Sequence, residues 1–220
     1  MVGVGRPKRD DSRDTRQDIL DRALELFATH GFTGSSMRDI AKAVGVRESA
    51  LYHHFPNKNA ILSTVLESSG PGALDSLMTN DLVRIIESVG PHQFLRMMGD
   101  TITTLWTTPR ERNLLRLIMA EMPRLKEAGL LHPPQLMTKV RGRIAGLFAD
   151  LSKRGLVKPL DPDTTALRFM GPLLLIRILH LADVTTQPDL EAMRLDLARH
   201  IDSFWETVKP DPAAKKEKRR

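Results

Sequence analysis

The stretch "GVRESALYHHF", Gly45 to Phe55, places Tyr52, His53 and His54 side by side. Imidazoles can ligate a metal, move a proton, or offer hydrogen bonds to an anion or a base edge. Adjacent residues on a helix point about 100° apart, so His53 and His54 cannot share one ion. No His, Asp or Glu three or four positions away completes a ligand set. Cysteine is absent, which removes thiolate zinc sites, disulfides and a cysteine nucleophile. The seven histidines are scattered at 30, 53, 54, 92, 132, 180 and 200, and the chain carries no Gly-rich phosphate loop, no G-x-S-x-G elbow and no paired-His motif. No catalytic residue, cofactor or metal site is therefore assigned; a catalytic pair assembled only by folding would escape this scan. Contact with a polyanion is the chemistry left to Tyr52 and His53.

The elements that must position them are helices. In "DTRQDILDRALELFATHGF", Ile19, Ala23, Leu26 and Phe27 form an apolar stripe widened by Leu20 and Leu24, and Gly31 is placed to stop it. Ser36 can cap "MRDIAKAVG", in which Met37, Ile40, Ala41 and Val44 share a face and Gly45 ends the run. A third short helix runs from near Arg47 to His54 and closes at Phe55-Pro56; Asn57 then caps a fourth, striped by Ile61, Leu62, Val65 and Leu66. Two short helices joined at a glycine and braced by a longer one describe a helix-turn-helix. On its second helix Leu51 and Phe55 share the inward side at i, i+4, leaving Glu48, Ser49, Tyr52 and His53 to face out. Exposed tyrosine and histidine suit phosphate and base-edge contacts, a half-buried packing role for Tyr52 being the alternative. His54 belongs on the side shared with the core.

At 220 residues and 41% apolar content the chain can bury a substantial core. Its formal charge of +6 permits a polyanionic partner without naming one. The segment from Lys209, "KPDPAAKKEKRR", holds six basic and two acidic residues, and either solubilises the chain or touches nucleic acid non-specifically. The charged N-terminus lacks an apolar signal core, and the most apolar run, "GPLLLIRILHLADV", reads as too short for a bilayer and carries Arg177, His180 and Asp183. The expected address is the cytoplasm, with no membrane partner.

Residues 15 to 66 resemble the DNA-binding domain of the TetR family of bacterial transcriptional regulators. The likeness rests on the spacing of Phe27 with Gly31-Phe32, Asp39-Ile40-Ala41, Gly45-Val46, Leu51-Tyr52, His54-Phe55 and Lys58. It implies an all-α protein that is not an enzyme: an operator-binding N-terminal head and a larger C-terminal region that binds a small-molecule effector and forms a homodimer. Repression is the commoner behaviour in the family, activation the alternative. The expected organisation is a basic leader at 1–14, the head at 15–67, a ligand-binding and dimerisation domain at 68–208, and a basic tail at 209–220. The resemblance makes Tyr52 and His53 phosphate or base contacts and Lys58 a phosphate contact. It places Ser36 and Arg38 over the DNA backbone, and Glu48, Ser49 and Ala50 toward the groove.

Two residues depart from the family pattern. Arg47 stands where a Ser or Thr usually caps the recognition helix; it cannot accept from the amides there and can instead reach a phosphate. Glu48 puts a negative charge near phosphates, which is unfavourable unless it accepts from a cytosine amino group or pairs with Arg47. Ahead of the head, "GRPKR" at 5–9 is either a minor-groove arm or a basic leader without specific contacts.

Beyond "SSGPG" at 68–72, helical stripes recur: Phe94, Met98, Ile102, Leu105; Leu114, Leu117, Ile118, Met122; Leu136, Val140, Ile144, Leu147, Leu151. Two further stripes, Leu167, Gly171, Leu174, Ile178, Leu181 and Leu190, Met193, Leu197, Ile201, Phe204, Val208, either build a four-helix dimer interface or face their own core. Pro172 is expected to kink the first of these helices or displace its start. For the effector pocket, Met98, Ile102, Trp106, Met119, Met122, Met137 and Phe169, with Met97 beside them, supply polarizable surface suited to an apolar or aromatic molecule. Arg177 and His180 are polar anchors in that pocket or members of the subunit interface.

Overall fold

A computed structural model describes residues 9–68, 82–183 and 187–211. Among the described residues there are ten helices and no strand. They are α1 Arg9–His30, α2 Met37–Val44, α3 Glu48–His54, α4 Lys58–Glu67, α5 Leu82–Val89, α6 Pro91–Trp106, α7 Pro109–Glu127, α8 Pro133–Lys153, α9 Pro162–Leu181 and α10 Leu190–Val208. Of the leader expected at 1–14, residues 9–14 belong to α1, whose helical hydrogen-bonding starts at Arg9; residues 1–8, most of "SSGPG" and the tail beyond 211 lie outside the described residues.

The chain divides into two compact units: described residues within 1–70 together with 109–132, and those within 71–108 together with 133–220. The first division falls between α4 and α5, close to the composition change at 68, but α7 groups with the head. Its buried face, Glu111, Leu114, Leu115, Leu117, Glu121 and Leu125, explains why. α7 packs along α1, and Arg110 holds Asp21 of α1 and, at 2.8 Å, the Ser68 hydroxyl.

Within the first unit, Ile19, Leu20, Ala23, Leu24 and Phe27 of α1 are buried with Met37, Ile40, Ala41, Leu51, Phe55, Ile61, Leu62 and Val65. Local chemistry sets the ends. Ser36 and Asp39 form a reciprocal capping box on α2, the Ser36 hydroxyl accepting from the Asp39 amide at 3.2 Å and the Asp39 carboxylate from the Ser36 amide at 3.0 Å. These bonds to Ser36, side chain first, hold the Asp39 carboxyl below the usual range. Gly45 closes α2 in the left-handed region at φ 80°, where a Cβ would be strained. Asn57 caps α4 by accepting from the Ala60 amide at 2.9 Å.

In the second unit α9 packs between α8 and α10, and α10 lies against α6. Phe148, Phe169 and Phe204, one from each of α8, α9 and α10, form a ring cluster with centroids 5.0 to 5.8 Å apart. Gly99 lets α6 approach α10 closely; a Cβ there would stand 2.6 Å from Ile201 Cδ1. Asp202 braces the same pair, accepting from Arg96 Nε at 2.9 Å and meeting His92 Nε2 at 2.8 Å.

The two C-terminal stripes have different fates. On α10, Met193, Leu197, Ile201, Phe204 and Val208 are all buried in their own chain. On α9 the core is made by Thr165, Ala166, Phe169, Leu173, Ile176 and Leu181, whereas Leu167 is 54% exposed and Leu174 49%, beside Leu175 at 56% and Leu179 at 68%. α9 is apolar nearly all round, so periodicity alone cannot say which side turns inward. Pro172 lies inside α9, whose start at Pro162 it does not displace. The helix is longer than the apolar run from Gly171, and by length and composition it could cross a bilayer. A third of that apolar window is buried within the protein.

His200 on α10 donates its Nε2 proton to the Phe169 carbonyl at 2.9 Å, since a carbonyl can only accept. Burial lowers its pKa below the ordinary 6.5, a shift that the bond to Phe169 partly offsets. The unfolded chain therefore binds the proton more readily, so this contribution to stability is complete above pH 6.5 and declines as pH falls through the lowered value. Thermal melts should show Tm dropping as pH falls from above 6.5 to below it, with His200→Gln flattening part of that slope. An unchanged slope in the variant would refute the assignment.

Candidate nucleic-acid interface

The turn between α2 and α3 runs through Gly45, Val46 and Arg47, and α3 is anchored by the Leu51 side chain, which is fully buried. Burying Leu51 and Phe55 forces the opposite face outward. Glu48, Ser49, Ala50, Tyr52 and His53 are all exposed, Tyr52 by 49%. Arg47 is the N-cap of α3 in extended conformation and makes no side-chain cap. Among the described residues neither Arg47 nor Glu48 has an ion-pair partner, so the Arg47–Glu48 pair does not form.

Ser36, Arg38, Asp39, Ala41, Lys42, Val46 and Glu48 line an open depression of about 750 Å³ in front of this motif. Asp39 is engaged by Ser36, which leaves Arg38 and Lys42 as a basic wall along α2. Asp39 and Glu48 balance these two cations in formal charge, so it is the α2 wall alone that offers a phosphate backbone its positive charge.

His54 is half-buried, and burial first, then the His53 and Arg16 charges, push its pKa down. It is thereby favoured in the neutral form. The Arg16 guanidinium of α1 lies 4.8 Å from the centre of the Phe55 ring. Among the described residues no group of three His, Asp or Glu side chains gathers at a point suited to a metal.

Lys58 is placed differently from the other DNA candidates. Its ammonium donates to the carbonyls of Phe32 at 2.8 Å and Ser35 at 2.9 Å and sits 4.5 Å from the Phe32 ring centre. Two of its three protons are thus used to tie the start of α4 to the α1–α2 connection.

The effector candidates are only partly brought together. Trp106, at the end of α6, lies under the Arg177 guanidinium of α9 at 5.3 Å, and Met98 and Ile102 are half-buried on α6. Phe169 is buried inside the ring cluster, where packing with Phe148 and Phe204 accounts for it. His180 meets Asp196 of α10 at 2.9 Å, an intrachain partner that neither the pocket nor the subunit-interface expectation anticipated. Met137 is exposed on α8, and Met119 and Met122 are exposed on α7 in the first unit.

Residues 19–65 match the family of bacterial regulatory proteins, tetR family, and residues 93–204 match the AefR-like transcriptional repressor C-terminal domain. The chain belongs to the TetR family of transcriptional regulators. The HTH-type transcriptional regulator AcrR of Shigella flexneri is 31% identical over 113 residues, which are 45% of this chain and 53% of that protein. A TetR-family regulator from Mesorhizobium loti MAFF303099, solved by crystallography, superposes with a TM-score of 0.70 at 20% identity, over 92% of this chain and all of the other. The SmeT–triclosan complex superposes with a TM-score of 0.66 at 18% identity, over 90% and 93%.

For this TetR-family chain, sequence patterning singled out neither Lys42 of the basic wall nor the Arg16 contact with Phe55. Lys42 comes four positions after Arg38, a spacing that puts both on one face of α2 and could have revealed it. Arg16 meets Phe55 from a different helix, and no local pattern announces that contact.

Proposed function

We propose that the protein is a repressor that binds an inverted-repeat operator on double-stranded DNA as a homodimer and is released by a small apolar or aromatic effector. The observation that carries this reading is the exposed leucine face of α9 in a chain whose α3 also presents an exposed reading surface. A single α3 reads one half-site; two copies are needed for two half-sites about 34 to 36 Å apart. The leucine face supports dimerisation through α9 and α10, the last two long helices. Ser36, Arg38, Arg47, Tyr52 and His53 serve as DNA contacts, Lys42 adds a backbone contact, and Ser49 and Ala50 lie against the groove.

The match to a repressor C-terminal domain supports repression. The half-buried α6 face with Trp106 and Arg177 supports a planar ligand, and the fold neighbour SmeT holds triclosan. An effector can weaken DNA binding only by as much as it prefers the non-binding conformation. The protein would act in the cytoplasm, where its operator is.

Selection from a randomised duplex pool, with affinity then measured over a salt series, tests this. An enriched inverted repeat, bound far more tightly than bulk DNA and with a steep salt slope, is expected. A pool that remains random would refute operator binding.

A further inference from the structure

We infer that Glu48 is a specificity-determining residue that selects a cytosine in each operator half-site. This rests on the operator reading proposed for the head. Glu48 is exposed in the first turn of α3, beside the edge of the depression whose other wall carries Arg38 and Lys42. No cation pairs with it among the described residues, so its carboxylate reaches the groove without an internal partner.

An ionised carboxylate can only accept hydrogen bonds. In the major groove guanine offers the acceptors O6 and N7, and thymine offers O4 and a methyl group, so neither can satisfy it. Adenine offers an N6 donor, but its N7 acceptor lies beside it and repels the second carboxylate oxygen. Cytosine N4 is the donor without that neighbour. Contact with guanine or thymine leaves a desolvated charge unpaired, and contact with adenine sets one carboxylate oxygen against N7, both of which are costly. The same charge repels phosphates, so Glu48 also weakens every non-specific complex. Arg38 and Lys42 hold the backbone on the adjoining side, which fixes the register at which Glu48 meets a base.

The test takes wild type, Glu48→Ala and Glu48→Gln through the same duplex selection, with thermal melts to confirm that each variant folds. Wild type should enrich sites with cytosine at one fixed step in each half-site, and changing that cytosine to thymine should cost it about tenfold to a hundredfold in affinity. Glu48→Ala should bind the two sites within about twofold of each other and bind bulk DNA more tightly. Glu48→Gln should move the preference toward adenine, whose N6 and N7 match an amide. A Glu48→Ala variant that gains equally on all sequences and keeps the cytosine overturns this assignment while leaving operator binding intact. A random wild-type pool overturns operator binding and this assignment with it.

Discussion

Leu175→Glu combined with Leu179→Glu should yield a folded monomer with at least about a hundredfold weaker operator binding, because each half-site must then be bound independently. Both leucines are more than half exposed in the single chain, so the substitution removes little from the intrachain core. Across a twofold interface the same positions would bury apolar surface with about 25 cal/mol gained per Å². Carboxylates in their place would face copies of themselves in a region shielded from water, where unpaired charge is strongly unfavourable. Sedimentation and operator titration read the two effects separately. A variant that remains dimeric would remove the α9 face from the interface; a monomer with undiminished affinity would remove the need for two heads.

Lys58→Met should destabilise the head by roughly 2 to 4 kcal/mol, since hydrogen bonds to a charged group contribute about 1.5 to 3 kcal/mol each and water can partly replace them at this half-buried position. The Phe32 and Ser35 carbonyls would lose their shared donor, and the α1–α2 connection its tie to α4. A melt should show the loss directly, while the dependence of log K on log salt for the folded fraction should keep its slope. Arg38→Ala or Lys42→Ala should do the reverse, leaving the melt near wild type and reducing the magnitude of the slope by about 1.8, because each substitution removes one phosphate contact from each of the dimer's two subunits. If Lys58→Met instead reduced the salt slope and left the melt unchanged, Lys58 would be a phosphate contact as the family resemblance implies, and the two carbonyl bonds would be incidental.

Much of the head was legible because its determinants are local. Ser36 with Asp39, Gly45 and Asn57 each act within four residues of where they stand, and the structure has each doing the job its chemistry suits. The outward set on α3 has the same local origin: once Leu51 is buried, a period of 3.6 residues dictates that Glu48, Ser49, Tyr52 and His53 face away. That the α10 stripe would be buried was equally readable, since its other faces carry Glu191, Arg194, Asp196, Arg199 and Asp202, and burying those charges would be costly; whether its own core or a second subunit would cover it was left open.

The helices, their caps, the helix-turn-helix and the outward surface of α3 all arise from interactions within a turn or two of the chain, and residue order is enough to specify them. Contacts between distant segments settled the rest. Lys58 became a brace because its acceptors lie 26 and 23 residues earlier. Phe169 became core because Phe148 and Phe204 come from other helices. α7 joined the head through the face it lays along α1. α9 left one leucine face uncovered because a helix that is apolar nearly all round carries little local preference for which side to bury, and its neighbours α8 and α10 make that choice.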